Sequence, residues 1–82
     1  MRIEDHRNIS CGGDPFNYLK SVLKGLSIEL NPGQDAMVLM LREKFPYEKQ
    51  LFESMSNLMR LKLVEMKSEG DEIMLHLRRL QN

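Results

Sequence analysis

The stretch Leu63-Val64-Glu65-Met66-Lys67-Ser68-Glu69-Gly70-Asp71-Glu72-Ile73-Met74-Leu75-His76-Leu77 decides how the chain is read, because its polarity alternates with a period of two. Alternation of that period sends successive side chains to opposite faces of a strand. Val64 and Met66 alternate with Glu65 and Lys67; past the turn residues Ser68 to Asp71, Ile73, Leu75 and Leu77 alternate with Met74, His76 and Arg78. Folding about Glu69-Gly70 sets Met66 against Ile73, Val64 against Leu75 and Lys67 against Glu72. Both apolar rows then share one face, and the charged pair is of opposite sign. Gly70 supplies the positive φ of a tight turn. The pattern predicts a C-terminal β-hairpin.

Upstream, the period lengthens to that of helices. Asp14 is placed to cap a first helix and Pro15 to occupy its first position. Phe16, Leu19, Val22, Leu23 and Leu26 form its apolar face, and Gly25 is a candidate stop. Asn31-Pro32-Gly33-Gln34 reads as a second start, with Gln34 at the capping-box position, and the Met-, Leu- and Ala-rich run to Phe45 favours helix. Pro46 ends it. A third helix is expected from Tyr47 to Leu61, burying Leu51, Phe52, Met55, Leu58 and Met59. Residues 1–13 show no sustained period and read as a flexible tail from which Ile3 or Ile9 can dock; residues 14–82 make one domain. The expected fold class is α+β: three helices and a C-terminal β-hairpin.

That order resembles a winged helix-turn-helix domain. The run from Ser56 to Glu65 looks like the end of a recognition helix entering a wing, with Leu63-Val64 and the strand from Glu72 to Leu77 in the places such regulators use. The resemblance implies a small transcriptional regulator that binds double-stranded DNA as a homodimer. The chain departs from it at Lys62, where glycine is common, and at the acidic wing tip Glu69, Asp71 and Glu72, where Arg or Lys is usual.

Twelve basic residues balance twelve acidic ones, so the basic excess of a dedicated nucleic-acid binder is missing. One cysteine, Cys11, permits no internal disulfide, and a small domain without one reads as cytoplasmic. The longest apolar run, Ala36 to Leu41, is far short of a membrane span, and the charged N-terminus leads into no signal-peptide core.

Two surfaces follow as candidates. For DNA, Lys49, Gln50, Asn57 and Arg60 on the third helix can reach phosphates or base edges, with Lys67, Arg78 and Arg79 gripping the backbone from the wing. For a protein partner, of an adaptor or inhibitor kind, Leu63, Met74 and His76 form the outer row of the hairpin, and seven methionines in the chain suit adaptable contacts. No cofactor, metal or enzymatic activity is expected: His6, Cys11 and His76 lack ligand spacing, and Gly12-Gly13 is not a phosphate loop.

Overall fold

The computed structural model describes residues 1–8 and 14–81. Six elements follow in the order β1 (Arg2–Asp5), α1 (Pro15–Glu29), β2 (Asp35–Leu41), α2 (Lys49–Leu58), β3 (Leu61–Glu69) and β4 (Glu72–Arg79). The strands form one mixed sheet of order β1-β2-β4-β3. β1 runs parallel to β2, and β4 runs antiparallel to both β2 and β3. β1, β2 and β3 therefore share one direction, and β4 returns between β2 and β3.

This is an α+β fold, but not the three helices and hairpin that the sequence pattern predicts, and the winged-helix arrangement does not survive. The expected second helix is the central strand β2. Its flanks decide this. In Asn31-Pro32-Gly33-Gln34, Gly33 has φ of 87° and the Gln34 amide donates to the Asn31 carbonyl at 3.0 Å. That is a turn with proline and glycine at its two centres, a type II signature. The capping-box contact does form, with the Asn31 amide donating to Gln34 Oε1 at 2.9 Å. It closes the turn instead of opening a helix. Seven residues between this turn and the next suffice for a strand, and a strand apolar on both sides fits a central position. Pairing on two sides overrides the helix propensity of Met and Leu.

α1 begins as expected. The Asp14 carboxylate accepts from the Phe16 amide at 2.9 Å, and Pro15 occupies the first turn. The helix runs through Gly25 to Glu29, burying Leu19, Leu23 and Leu26. α2 is shorter than its pattern suggests. It buries Phe52, Met55 and Ser56, and the Ser56 hydroxyl donates to the Phe52 carbonyl at 2.7 Å. It ends at Leu58 because Arg60 takes a φ of 59°, which no helix continues. Leu58, expected in the core, is 80% exposed.

The last two strands pair with a shifted register. The turn residues are Gly70 and Asp71, so Met66 faces Leu75 and Lys67 faces Met74. A shift of two preserves the faces. A bulge between Leu63 and Glu65 then inverts them, since one extra residue changes the parity of the strand. Leu61 and Leu63 point into the core, and Val64 is left exposed. Part of the expected tail is structured: β1 adds an edge strand with Ile3 opposite Met37. Ile9 and Cys11, with the rest of residues 9–13, lie outside the described residues.

The core gathers Leu19, Leu23 and Leu26 from α1, Phe52 and Met55 from α2, and Ala36, Val38, Met40, Leu61, Leu63, Ile73, Leu75 and Leu77 from the sheet, with Phe45 from the loop. Both helices therefore cover the same face. The topology accounts for it. The crossovers β1-α1-β2 and β2-α2-β3 step across the sheet in one direction, and parallel crossovers of one hand place their helices on one side. Among the described residues no helix covers the other face. Truncating Phe52, fully buried where α2 meets the sheet, to alanine should lower unfolding free energy by about 3–5 kcal/mol. Urea unfolding followed by circular dichroism measures it; a loss under about 1 kcal/mol would contradict this packing.

Candidate functional site: the uncovered sheet face

Alternation along each strand fixes what the uncovered face presents. β2 contributes Asp35, Met37, Leu39 and Leu41, and β4 contributes Arg78, His76, Met74 and Glu72 opposite them. β3 adds Lys62, Glu65, Lys67 and Glu69, and β1 adds Ile3 and Asp5. Met37, Leu39, Leu41 and Met74 form a half-buried apolar centre, and Ile3 stands beside them 64% exposed. Charged groups surround this centre, and most are paired among themselves.

At one end Asp35 gathers His76 and Arg78. Its carboxylate lies 2.8 Å from His76 Nε2, and Arg78 donates to it through Nε at 2.8 Å and Nη2 at 3.2 Å. The Arg78 and His76 hydrogen bonds hold the Asp35 carboxyl well below the ordinary range, at about 2. They also offset the repulsion between Arg78 and Lys62, which face each other across β3 and β4. At the other end Arg7 bridges Asp5 at 2.8 Å and Glu72 at 3.2 Å. Its hydrogen bonds hold the Asp5 carboxyl at about 2. Arg7 also relieves the like-charge pairing of Glu72 with Glu69 at the mouth of the hairpin. On the outer strand Lys67 lies 3.6 Å from Glu65. The rim is a set of ion-paired clusters around an apolar floor, with a basic excess at the Arg78 and Lys62 end and an acidic excess at the Asp5, Glu69 and Glu72 end.

A second polar cluster fastens β1 to the helical layer. His6 Nδ1 lies 2.8 Å from the Tyr18 hydroxyl and His6 Nε2 lies 3.0 Å from Glu4 Oε1. Arg2 pairs with Glu29 at the far end of α1. These contacts hold a four-residue edge strand against a fifteen-residue helix. The dispersed residues Glu4, His6 and Tyr18 give no sequence motif, so pattern reading misses the cluster. It equally misses Asp35, whose role depends on a pairing across 41 residues.

The seven DNA candidates do not converge. Lys49, Gln50, Asn57 and Arg60 are exposed along and just beyond α2, on the helical side. Lys67 and Arg78 lie on the opposite, uncovered face, and both are ion-paired. Arg79, next to Arg78 on the strand, turns the other way and donates through Nε to the Ser27 carbonyl of α1 at 2.8 Å. Of the three partner-binding candidates, Met74 and His76 do share the uncovered face. Leu63 does not; the bulge carries it into the core at 6% exposure. Among the described residues no cluster of three His, Cys, Asp or Glu side chains has metal-binding geometry. No described helix is long and apolar enough to cross a membrane.

Comparison with protein-family models finds no match, and comparison with curated proteins finds no relative.

The Asp35 cluster has a definite pH signature. A carboxyl whose pKa is lower folded than unfolded contributes stability above the unfolded value of about 3.9 and loses that contribution as pH falls through its folded value. Stability should therefore decline from near pH 4 towards about 2 as Asp35 protonates. Asp35→Asn should shallow that decline, leaving the part due to Asp5. Side-chain carboxyl NMR titration checks it directly; an Asp35 pKa near 4 would contradict the cluster.

Proposed function

We propose that this protein is a non-enzymatic protein-interaction module of the adaptor or inhibitor kind, working in a reducing cytoplasmic compartment, and that its uncovered sheet face is the contact surface. The observation that carries the reading is the apolar centre Met37, Leu39, Leu41, Met74 and Ile3 within a rim of internally paired charges. Four strands about 4.8 Å apart and seven residues of about 3.4 Å each make a platform of roughly 24 by 19 Å. That is the scale of a small, reversible protein contact. Two methionines at its centre can repack against more than one shape.

The rim says what kind of partner fits. Asp35 pairs with Arg78, Arg7 with Asp5 and Glu72, and Glu65 with Lys67, which leaves the rim basic around Arg78 and Lys62 and acidic around Asp5, Glu69 and Glu72, with no net positive field to attract a polyanion. The matching surface is a folded protein patch, apolar at its centre, acidic where it meets Lys62 and Arg78 and basic where it meets Asp5, Glu69 and Glu72. DNA binding is the weaker reading, because its candidate cations are divided between two faces and Arg78 and Arg79 are engaged internally.

The test compares wild type with Met37→Asp/Met74→Asp, which places charge at the centre while leaving the core rows untouched. A partner isolated on wild-type protein, purified and assayed pairwise, should lose at least about tenfold in affinity for the double variant. Equal affinity for the variant would overturn the reading. So would tight binding of mixed duplex DNA near physiological salt. Sedimentation of the free protein separates self-association from a foreign partner.

A further inference from the structure

We propose a second docking surface on the opposite side of the molecule: a groove between α1 and α2 that takes an acidic amphipathic segment of a protein partner. It does not depend on the sheet face. Its floor is a hollow of about 150 Å³ lined by Phe16 and Lys20 of α1 and by Met55, Leu58 and Met59 at the end of α2. A wider depression lined by Asn17, Lys20, Ser21, Lys24 and Met59 continues it along α1. The two share Lys20 and Met59 and so form one trough. From Phe16 to Lys24 it spans about 12 Å of helix, the length of two turns of a docked helix.

Two features mark it as a contact surface. The first is misplaced apolarity. Phe16 is 37% exposed and Leu58 80% exposed, although both stand where helix periodicity would bury them. Leu58 is left outside because α2 stops there and the chain turns at Arg60. The second is charge. Lys20 and Lys24 are four residues apart on α1, so they lie on one rim about 6 Å apart along the axis. Lys20 sits 6.0 Å from the centre of the Phe16 ring. Neither lysine is ion-paired among the described residues, whereas Arg7, Lys67 and Arg78 of the sheet face are. Among the described residues no carboxylate lines the trough.

An apolar floor with an unneutralised basic rim is complementary to a helix bearing apolar anchors at i, i+3 or i+4 and Asp or Glu along the neighbouring edge. The methionines let the floor adapt to different anchors. Concavity favours such an anchor over a flat anionic membrane, which cannot fill the hollow.

The experiment uses the full chain and synthetic peptides. A twelve-residue helical peptide with leucines at i, i+4 and i+7 and glutamates beside them is titrated into labelled protein and followed by amide chemical shifts. Its twin carries lysines in place of the glutamates. The acidic peptide should move the Phe16, Lys20, Lys24, Leu58 and Met59 amides and bind at least about tenfold tighter than the basic one. Lys20→Glu/Lys24→Glu should reverse that preference. Leu58→Ser, at an exposed position with no packing to lose, should weaken both peptides without changing the unfolding midpoint. Met37→Asp/Met74→Asp should leave acidic-peptide binding unchanged, which separates this groove from the sheet face. Equal binding of the two peptides, no binding of the acidic one at millimolar concentration, shifts confined to the sheet face, or lysine-dependent binding to phosphatidylserine vesicles in place of the acidic peptide would each overturn the proposal.

Discussion

The structure turns on the insertion of β4 between β2 and β3. Two parallel strands separated by one strand's width leave unpaired backbone groups facing each other, and those groups require partners. The last segment supplies them from both of its edges, pairing along seven residues with β2 and along most of β3. Its core-facing residues Ile73, Leu75 and Leu77 are fully buried. A chain this small buries only about 60% of its unfolded surface, so a central strand that pairs twice and also supplies three residues to the core uses its residues to full effect.

From that insertion the two faces acquire different characters. The crossovers before it put both helices on one side, where leucine and phenylalanine fill the interior. The other side is a sheet face with no described helix packed on it, half apolar at its centre and charged at its rim. An isolated surface ion pair is worth about 0–1 kcal/mol, so the rim clusters add little to stability. Their larger effect is on recognition: they reduce the field at each end of the face and hold like-charged neighbours in adjacent strands at tolerable cost. The helical side behaves oppositely. There Lys20 and Lys24 keep their charge beside exposed phenylalanine and leucine. A chain of zero net charge thus carries one surface of mixed, mostly paired charges and one basic groove. The overall balance of charges says nothing about either.

The register of β3 shows how one residue redistributes function. Without the bulge, Leu63 would stand outside with Met74 and His76, and the uncovered face would extend across the outer strand. With it, Leu63 fills the core opposite Leu77, and Glu65 and Lys67 hold the outside. Bulges at an edge also discourage pairing with further strands, which matters for a nine-residue edge strand such as β3.

The sequence by itself determined the local features whose causes are local. The Asp14 cap and Pro15 start of α1, its leucine stripe, the burial of Phe52 and Met55, and the alternation of the final strand all follow from neighbours within a turn or two. The tertiary structure decided everything that depends on distant pairing. Ala36 to Leu41 satisfies a helix by propensity and a strand by length, and pairing with β1 and β4 chose the strand. Residues 2–5 are too few to show a period and become a strand through β2. The bulge that sends Leu63 inward leaves no mark in residue type. The Asp35 cluster, the uncovered face and the groove between the helices all bring together residues far apart in the chain, and only the order of strands in the sheet decides which of them meet.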